Sequence, residues 1–108
     1  MSFEVVYTDN FEKELKRLAK KPRSLKKDLE ILISALELNP TQSTSVGKDC
    51  YKISMAISSK GKGKSGGARV ITHMYISGKL VYLLSIYDKS DQDNISDKEL
   101  EALLRFIQ

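Results

Sequence analysis

The spacing of apolar positions divides the chain into helical and extended stretches. Residues 3 to 8, "FEVVYT", are aromatic and β-branched and predict a strand. From Phe11 the period lengthens. Phe11, Leu15 and Leu18 fall on one helical face, with Thr8 or Asp9 placed to cap it. Pro22 ends or interrupts that helix. A second helix starts with Ser24 as its cap and carries Leu25, Leu29, Leu32, Ile33 and Leu36 at helical spacing until Asn39-Pro40 stops it. The two are predicted to form a hairpin with its cations outside. Residues 41 to 49 read as a loop.

From Cys50 the period falls to two. Tyr51, Ile53, Met55 and Ile57 alternate with Lys52, Ser54, Ala56 and Ser58. The first set predicts the core face, and the second faces solvent or a groove. A lysine- and glycine-rich loop then leads into "ARVITHMYI", a turn at Ser77-Gly78, and "KLVYLLSIY". These segments predict a three-stranded antiparallel meander. Ser96 and Glu99 form a capping box ahead of Leu100, Leu103, Leu104 and Ile107, a last helix. The predicted order is β-α-α-β-β-β-α. This is an α+β fold, a helical hairpin packed on an antiparallel sheet.

Composition bounds this picture without changing it. The 108 residues suffice for one core, so residues 1–108 are expected to form a single domain. No apolar run approaches the ~20 residues that span a bilayer. "MSFEVVYTDNFEKEL" carries acids where a signal peptide carries cations, so the chain is expected in the cytoplasm and not at a membrane. The lone Cys50 cannot form an internal disulfide, and no metal ligand set or cofactor motif accompanies it.

Charge adds more. Residues 13 to 27 hold eight basic residues and one acid, Glu14, whereas residues 48 to 79 hold seven and one, Asp49. Residues 88 to 101 reverse the balance, with six acids against two lysines. Two basic zones on a small domain point to a polyanion or an acidic partner, or to a solvated surface.

The candidate chemistry is narrow. "GKGKS" lacks the glycine five residues ahead that a phosphate loop requires, and it joins two strands instead of leading into a helix, which excludes a nucleoside-triphosphate loop. One histidine and one cysteine leave little for a nucleophile–base pair, and His73 reads as a half-buried sheet residue. What remains is cationic. Lys52 lies on the non-core face of its strand, Arg69 opens the next strand, and Lys89 follows the last. In a meander these three can converge. Converging cations suit a phosphodiester and the extra charge of its pentavalent transition state. RNA carries its own nucleophile, the 2′-hydroxyl, so such a site needs only orientation, charge stabilisation and proton transfer. Tyr87 either packs into the core or offers a ring for base stacking.

"YKI" at 51–53, "KGKGKSGGARVI" at 60–71 and "VYLLSIYDKSD" at 81–91, following two helices, resemble the RelE/HigB family of bacterial toxins, and the loop followed by "YLLSIY" resembles its HigB-like branch. The resemblance covers nearly the whole chain. It implies a ribosome-dependent endoribonuclease that cuts messenger RNA and is neutralised by a cognate antitoxin, in this branch usually a helix-turn-helix protein. By the same resemblance Lys52, Arg69 and Lys89 take the family's basic catalytic positions, with Arg69 at the scissile phosphate. Lys60, Lys62 and Lys64 would then hold the RNA backbone in salt-dependent, sequence-blind contacts, with Tyr87 beside them. Ser54 stands where the family usually has a second basic residue, His73 replaces an aromatic, and "QDNIS" occupies the stretch in which some members carry a tyrosine. Two other functions fit the residues: a non-catalytic RNA- or ribosome-binding protein, and a co-repressor that meets DNA only through its antitoxin.

Overall fold

The computed structural model describes residues 3–20, 24–41, 44–58, 67–92 and 94–107. In chain order the elements are β1 (Glu4–Tyr7), α1 (Asp9–Leu18), α2 (Leu25–Leu38), β2 (Thr44–Gly47), β3 (Cys50–Met55), β4 (Ala68–Tyr75), β5 (Leu80–Asp88) and α3 (Asp97–Leu104), which tightens into a 3-10 turn at Arg105–Ile107. Mixed α+β architecture is as expected. One segment differs: residues 44–47, expected as loop, form the strand β2. Its turn into β3 places both Lys48 and Asp49 at positive φ, 54° and 58°. That geometry favours glycine, asparagine and aspartate, and Lys48 in the first position leaves the turn without the usual Asn-Gly or Asp-Gly signal.

The sheet order is β1-β5-β4-β3-β2. β3, β4 and β5 make the expected antiparallel meander, and β1 adds alongside β5 in parallel, so the whole sheet is mixed. Both faces are covered. Phe11 of α1 and Leu25, Leu29, Leu32 and Leu36 of α2 pack with Ile53, Val70, Leu83 and Ile86 on one face. Leu100 of α3 packs with Cys50, Ile71, Leu84 and Tyr87 on the other. Double coverage explains why "LVYLLSIY" is apolar almost throughout. Among the described residues no helix is long and apolar enough to cross a membrane.

Two features of β5 position the site. First, Ile71 pairs with Ser85 but Thr72 pairs with Leu83, so Leu84 is an extra residue in a bulge. A bulge reverses the alternation beyond it. Leu83 and Ile86 therefore share the α1–α2 face, while Leu84 and Tyr87 share the α3 face. Second, β1 pairs only as far as Leu83, and α1 side chains take over the rest of that edge. The Thr8 hydroxyl donates to Leu83 O at 2.7 Å, and Asn10 Nδ2 donates to Leu84 O at 2.9 Å. Glu14 Oε1 accepts from the Ile86 N–H at 3.3 Å and from the Ser85 hydroxyl at 2.7 Å. Thr8 also caps α1, accepting the Phe11 N–H.

Ser24 precedes α2 as expected, but its side chain makes no capping bond. Its hydroxyl donates instead to Asp28 Oδ2 at 2.7 Å. The Asp28 carboxylate, buried at 6% exposure, also accepts from the Ser58 N–H at 3.0 Å and the Ser58 hydroxyl at 2.6 Å. Burial alone would raise its pKa, but the bonds from Ser58 and Ser24 outweigh it and hold the carboxyl below its ordinary value of 3.8. Asp28 thereby ties α2 to the chain leaving β3. Asp28→Asn replaces one acceptor with an amide that Ser58 or Ser24 cannot donate to, and should cost about 1–3 kcal/mol at neutral pH. A depressed carboxylate stabilises the fold above its unfolded-state pKa and loses that effect as pH falls through the folded-state pKa. The gap between parent and variant in denaturant melts should thus be full at pH 5 and above, and close with acid below the ordinary value of 3.8. A gap independent of pH would contradict an ionised Asp28.

Candidate active site

Strand register brings the sequence-predicted cations together. Lys52 stands opposite Ile71, and Ser54 stands opposite Arg69. Arg69 in turn stands opposite Tyr87. Opposed residues of an antiparallel pair share a face, with diagonal neighbours ~7–8 Å apart and within reach of long side chains. Ser54, Arg69 and Tyr87 thus form one row across three strands, and Lys52 flanks it on β3. The Lys89 N–H donates to Gly67 O at 3.1 Å, one rung beyond the Ala68–Asp88 pair. Lys89 follows β5 at the end of this row, its backbone tied to the start of β4. The bulge in β5 is what sets the face of Tyr87: with an unbroken strand Tyr87 would turn towards α1 and α2.

The side chains differ in freedom. Lys52 is half-buried, and its ammonium donates to Asn94 Oδ1 at 3.1 Å, in the segment that leads into α3. Arg69 is half-buried with its Nε atom inside. Lys89 is half-buried in the turn after β5, which Asp88 organises by accepting the Ser90 N–H at 2.9 Å and the Ser90 hydroxyl at 2.7 Å. Of the two roles open to Tyr87, the structure shows core packing. The residue is only 9% exposed and packs with Ile71, Leu84 and Leu100, so its ring is core and not an open stacking platform. The α3 cover on that face is the reason. Its edge lines a cleft of about 330 Å³ between α1 and the end of β5, shared with Glu14, Arg17, Asp88 and Gln92. Lys60, Lys62 and Lys64 lie outside the described residues.

Other candidates are structural. His73 is half-buried opposite Cys50, and its Nδ1 contacts Lys48 O at 3.1 Å. Burial, with Asp49 adding to it, pushes the Cys50 thiol up to about 12. It stays protonated at neutral pH and is no nucleophile. Among the described residues no group of three or more His, Cys, Asp or Glu side chains is placed to hold a metal ion. What the face offers is fixed positive charge beside a half-buried guanidinium, suited to holding an anion.

Sequence reasoning passed over three residues. Glu14 was visible as the one acid in a basic stretch. An isolated carboxylate among cations is a signal of a specific partner, here the edge of β5 beyond its pairing with β1. Asp28 opens α2 with no such mark. Asn94 meets Lys52 across 42 residues of sequence, which no local pattern records.

The family described as "RelE toxin of RelE / RelB toxin-antitoxin system" matches residues 8–107 of the chain. Solved structures of that fold are similar throughout. A double arginine-to-alanine variant of Escherichia coli toxin RelE in the free state superposes with a TM-score of 0.65 at 15% identity, covering 100% of both chains. The toxin–antitoxin complex RelBE2 from Mycobacterium tuberculosis gives 0.60 at 16% identity over 84% of this chain and 95% of that one. The archaeal RelE–RelB complex from Pyrococcus horikoshii gives 0.55 at 18% identity over 85% and 100%. At such identities the superpositions establish the fold.

Proposed function

The chain belongs to the RelE toxin family of toxin–antitoxin systems, and on that premise we propose that it is a ribosome-dependent endoribonuclease that cuts messenger RNA. The observation that supports this reading is that Lys52 and Arg69 share one sheet face, with Lys89 just beyond the end of β5 and bonded through its N–H to Gly67. Arg69 holds the scissile phosphate, where a planar fork of donors matches two phosphate oxygens. Lys52 and Lys89 add charge on either side. The 2′-oxygen bonds to phosphorus as the bond to the 5′-oxygen breaks; the 2′-hydroxyl gives up a proton and the leaving 5′-oxygen gains one. Stabilising the additional negative charge of that transition state is the contribution of the three cations. Lys60, Lys62 and Lys64 belong to the same basic zone and supply backbone contacts to RNA.

Several of the similar solved structures are toxins bound to a RelB antitoxin. In this reading a cognate antitoxin binds and neutralises this chain, a helix-turn-helix protein through which the pair reaches DNA. Induced alone in a bacterium, the protein should arrest growth with messages cut on ribosomes, and antitoxin co-expression should restore growth. Purified protein should cut message on programmed ribosomes and leave the same RNA intact in free solution. Normal growth and whole messages at verified expression would instead favour the non-catalytic RNA-binding function.

A further inference from the structure

Residues 88 to 101 carry six acids, Asp88, Asp91, Asp93, Asp97, Glu99 and Glu101. The residue of this run that accepts from the Lys52 ammonium is nevertheless neutral. Asn94 Oδ1 accepts from Lys52 Nζ at 3.1 Å. Asn94 is also held in place. Gln92 Nε2 donates to its carbonyl oxygen at 3.1 Å, Ile95 beside it packs against the Leu100 cluster, and the Ser96–Glu99 capping box fixes the start of α3.

The chemistry of this contact is specific. An ammonium has three N–H donors and no acceptor, on a stem of four rotatable carbons. A carboxamide oxygen takes one of those donors and stops the stem from swinging, yet it leaves the charge and two donors available. A carboxylate at the same place would also anchor the ammonium, but a negative charge at hydrogen-bond distance would cancel most of the field that Lys52 sends towards a phosphate on the face. Asn94 thus places a neutral acceptor against the Lys52 ammonium within an acidic segment, at a point where an acid would do harm.

We infer that Asn94 is a positioning residue for the proposed cleavage: it holds the Lys52 ammonium over the row of Arg69 and Tyr87 through a neutral hydrogen bond that places the charge without cancelling it. This rests on the nuclease reading above. The test is single-turnover cleavage of message on programmed ribosomes at saturating protein, with Asn94→Asp and Asn94→Ala each made in the parent and in Lys52→Ala. Parent cleavage is measured first, and a parent that does not cut overturns the nuclease reading and this role with it. Given a cutting parent, Asn94→Asp should slow cleavage by about tenfold through added charge. Asn94→Ala should slow it by roughly two- to fivefold through lost orientation. In the Lys52→Ala background the Asn94 variants should agree within about twofold, because the residue acts through Lys52. Asn94 is exposed, so melting points should stay near the parent's. The Lys52 ammonium resonance of the free protein should persist in Asn94→Asp and broaden in Asn94→Ala. The inference fails if Asn94→Asp cuts as fast as the parent, or if the losses are undiminished without Lys52.

Discussion

Arg69→Ala should retain the fold and lose cleavage by about a hundredfold or more, the usual consequence of deleting one preorganised donor from a phosphoryl or acyl transition state. The position justifies the size. Arg69 lies in the middle strand of the meander, between Ser54 and Tyr87, with Lys52 diagonal to it. Its half-buried stem limits rotation, so the guanidinium is oriented before substrate arrives. Arg69→Lys keeps the charge but exchanges a planar fork for a mobile point, and its rate should fall between parent and alanine. The competing role is cross-sheet packing. In that event Arg69→Ala would melt earlier but, below its melting point, cut at the parental rate. Single-turnover rates beside thermal melts separate the two outcomes, and a folded alanine variant with parental cleavage would remove Arg69 from the site.

Gly67→Ala should produce the largest loss of stability among the substitutions considered. Gly67 is buried at the entry to β4. A Cβ there would overlap the Met55 carbonyl oxygen and press on Ala56 Cα at 3.1 Å. Both obstacles are backbone, so no rotamer change relieves them and the two strands must part. Overpacking of this kind costs ~3 kcal/mol, which for a domain of this size lowers the melting point by roughly 10–20 °C. The damage reaches the site as well. The Gly67 carbonyl accepts the Lys89 N–H, and Arg69 is two residues on. Residual cleavage at a temperature where the variant remains folded should therefore drop too. Calorimetry checks the first expectation; a melting point within about 3 °C of the parent would show that the strands separate at little cost.

Legibility in the sequence followed from whether the determining interaction was local. Thr8 and the Ser96–Glu99 box announce their helices within four residues, and both cap as the spacing predicts. β3 alternates cleanly, so Lys52 and Ser54 were assignable to one face, and Arg69 followed as the start of the next strand. β5 was different. Its apolar residues serve two covered faces, so alternation within "LVYLLSIY" carries no information about which side Tyr87 takes. Only the ladder register reveals the extra residue at Leu84. β2 stayed hidden because its turn puts Lys48, a type that rarely takes positive φ, where hairpins usually carry asparagine, aspartate or glycine. Asn94 and Asp28 were invisible for another reason: each is defined by a partner 30 or more residues away.

The short β1 also governs when this molecule can come into being. The Thr8 hydroxyl reaches Leu83 O across 75 residues, and β1 has no other strand to pair with. α1 and α2 are synthesised early, yet α2 has only β3 and β4 to cover, and α1, which packs on β5, has no partner strand until β5 exists. Such long-range pairing is slow, because loop closure must precede any reward from contacts. A growing chain thus carries the first half of its core unsatisfied through most of translation. The row of cations needs β5 for the same reason, since Lys89 takes its place through Gly67 only when β4 and β5 have met. Stability and site therefore arrive in a single late event, and a truncated product lacking β5 has neither.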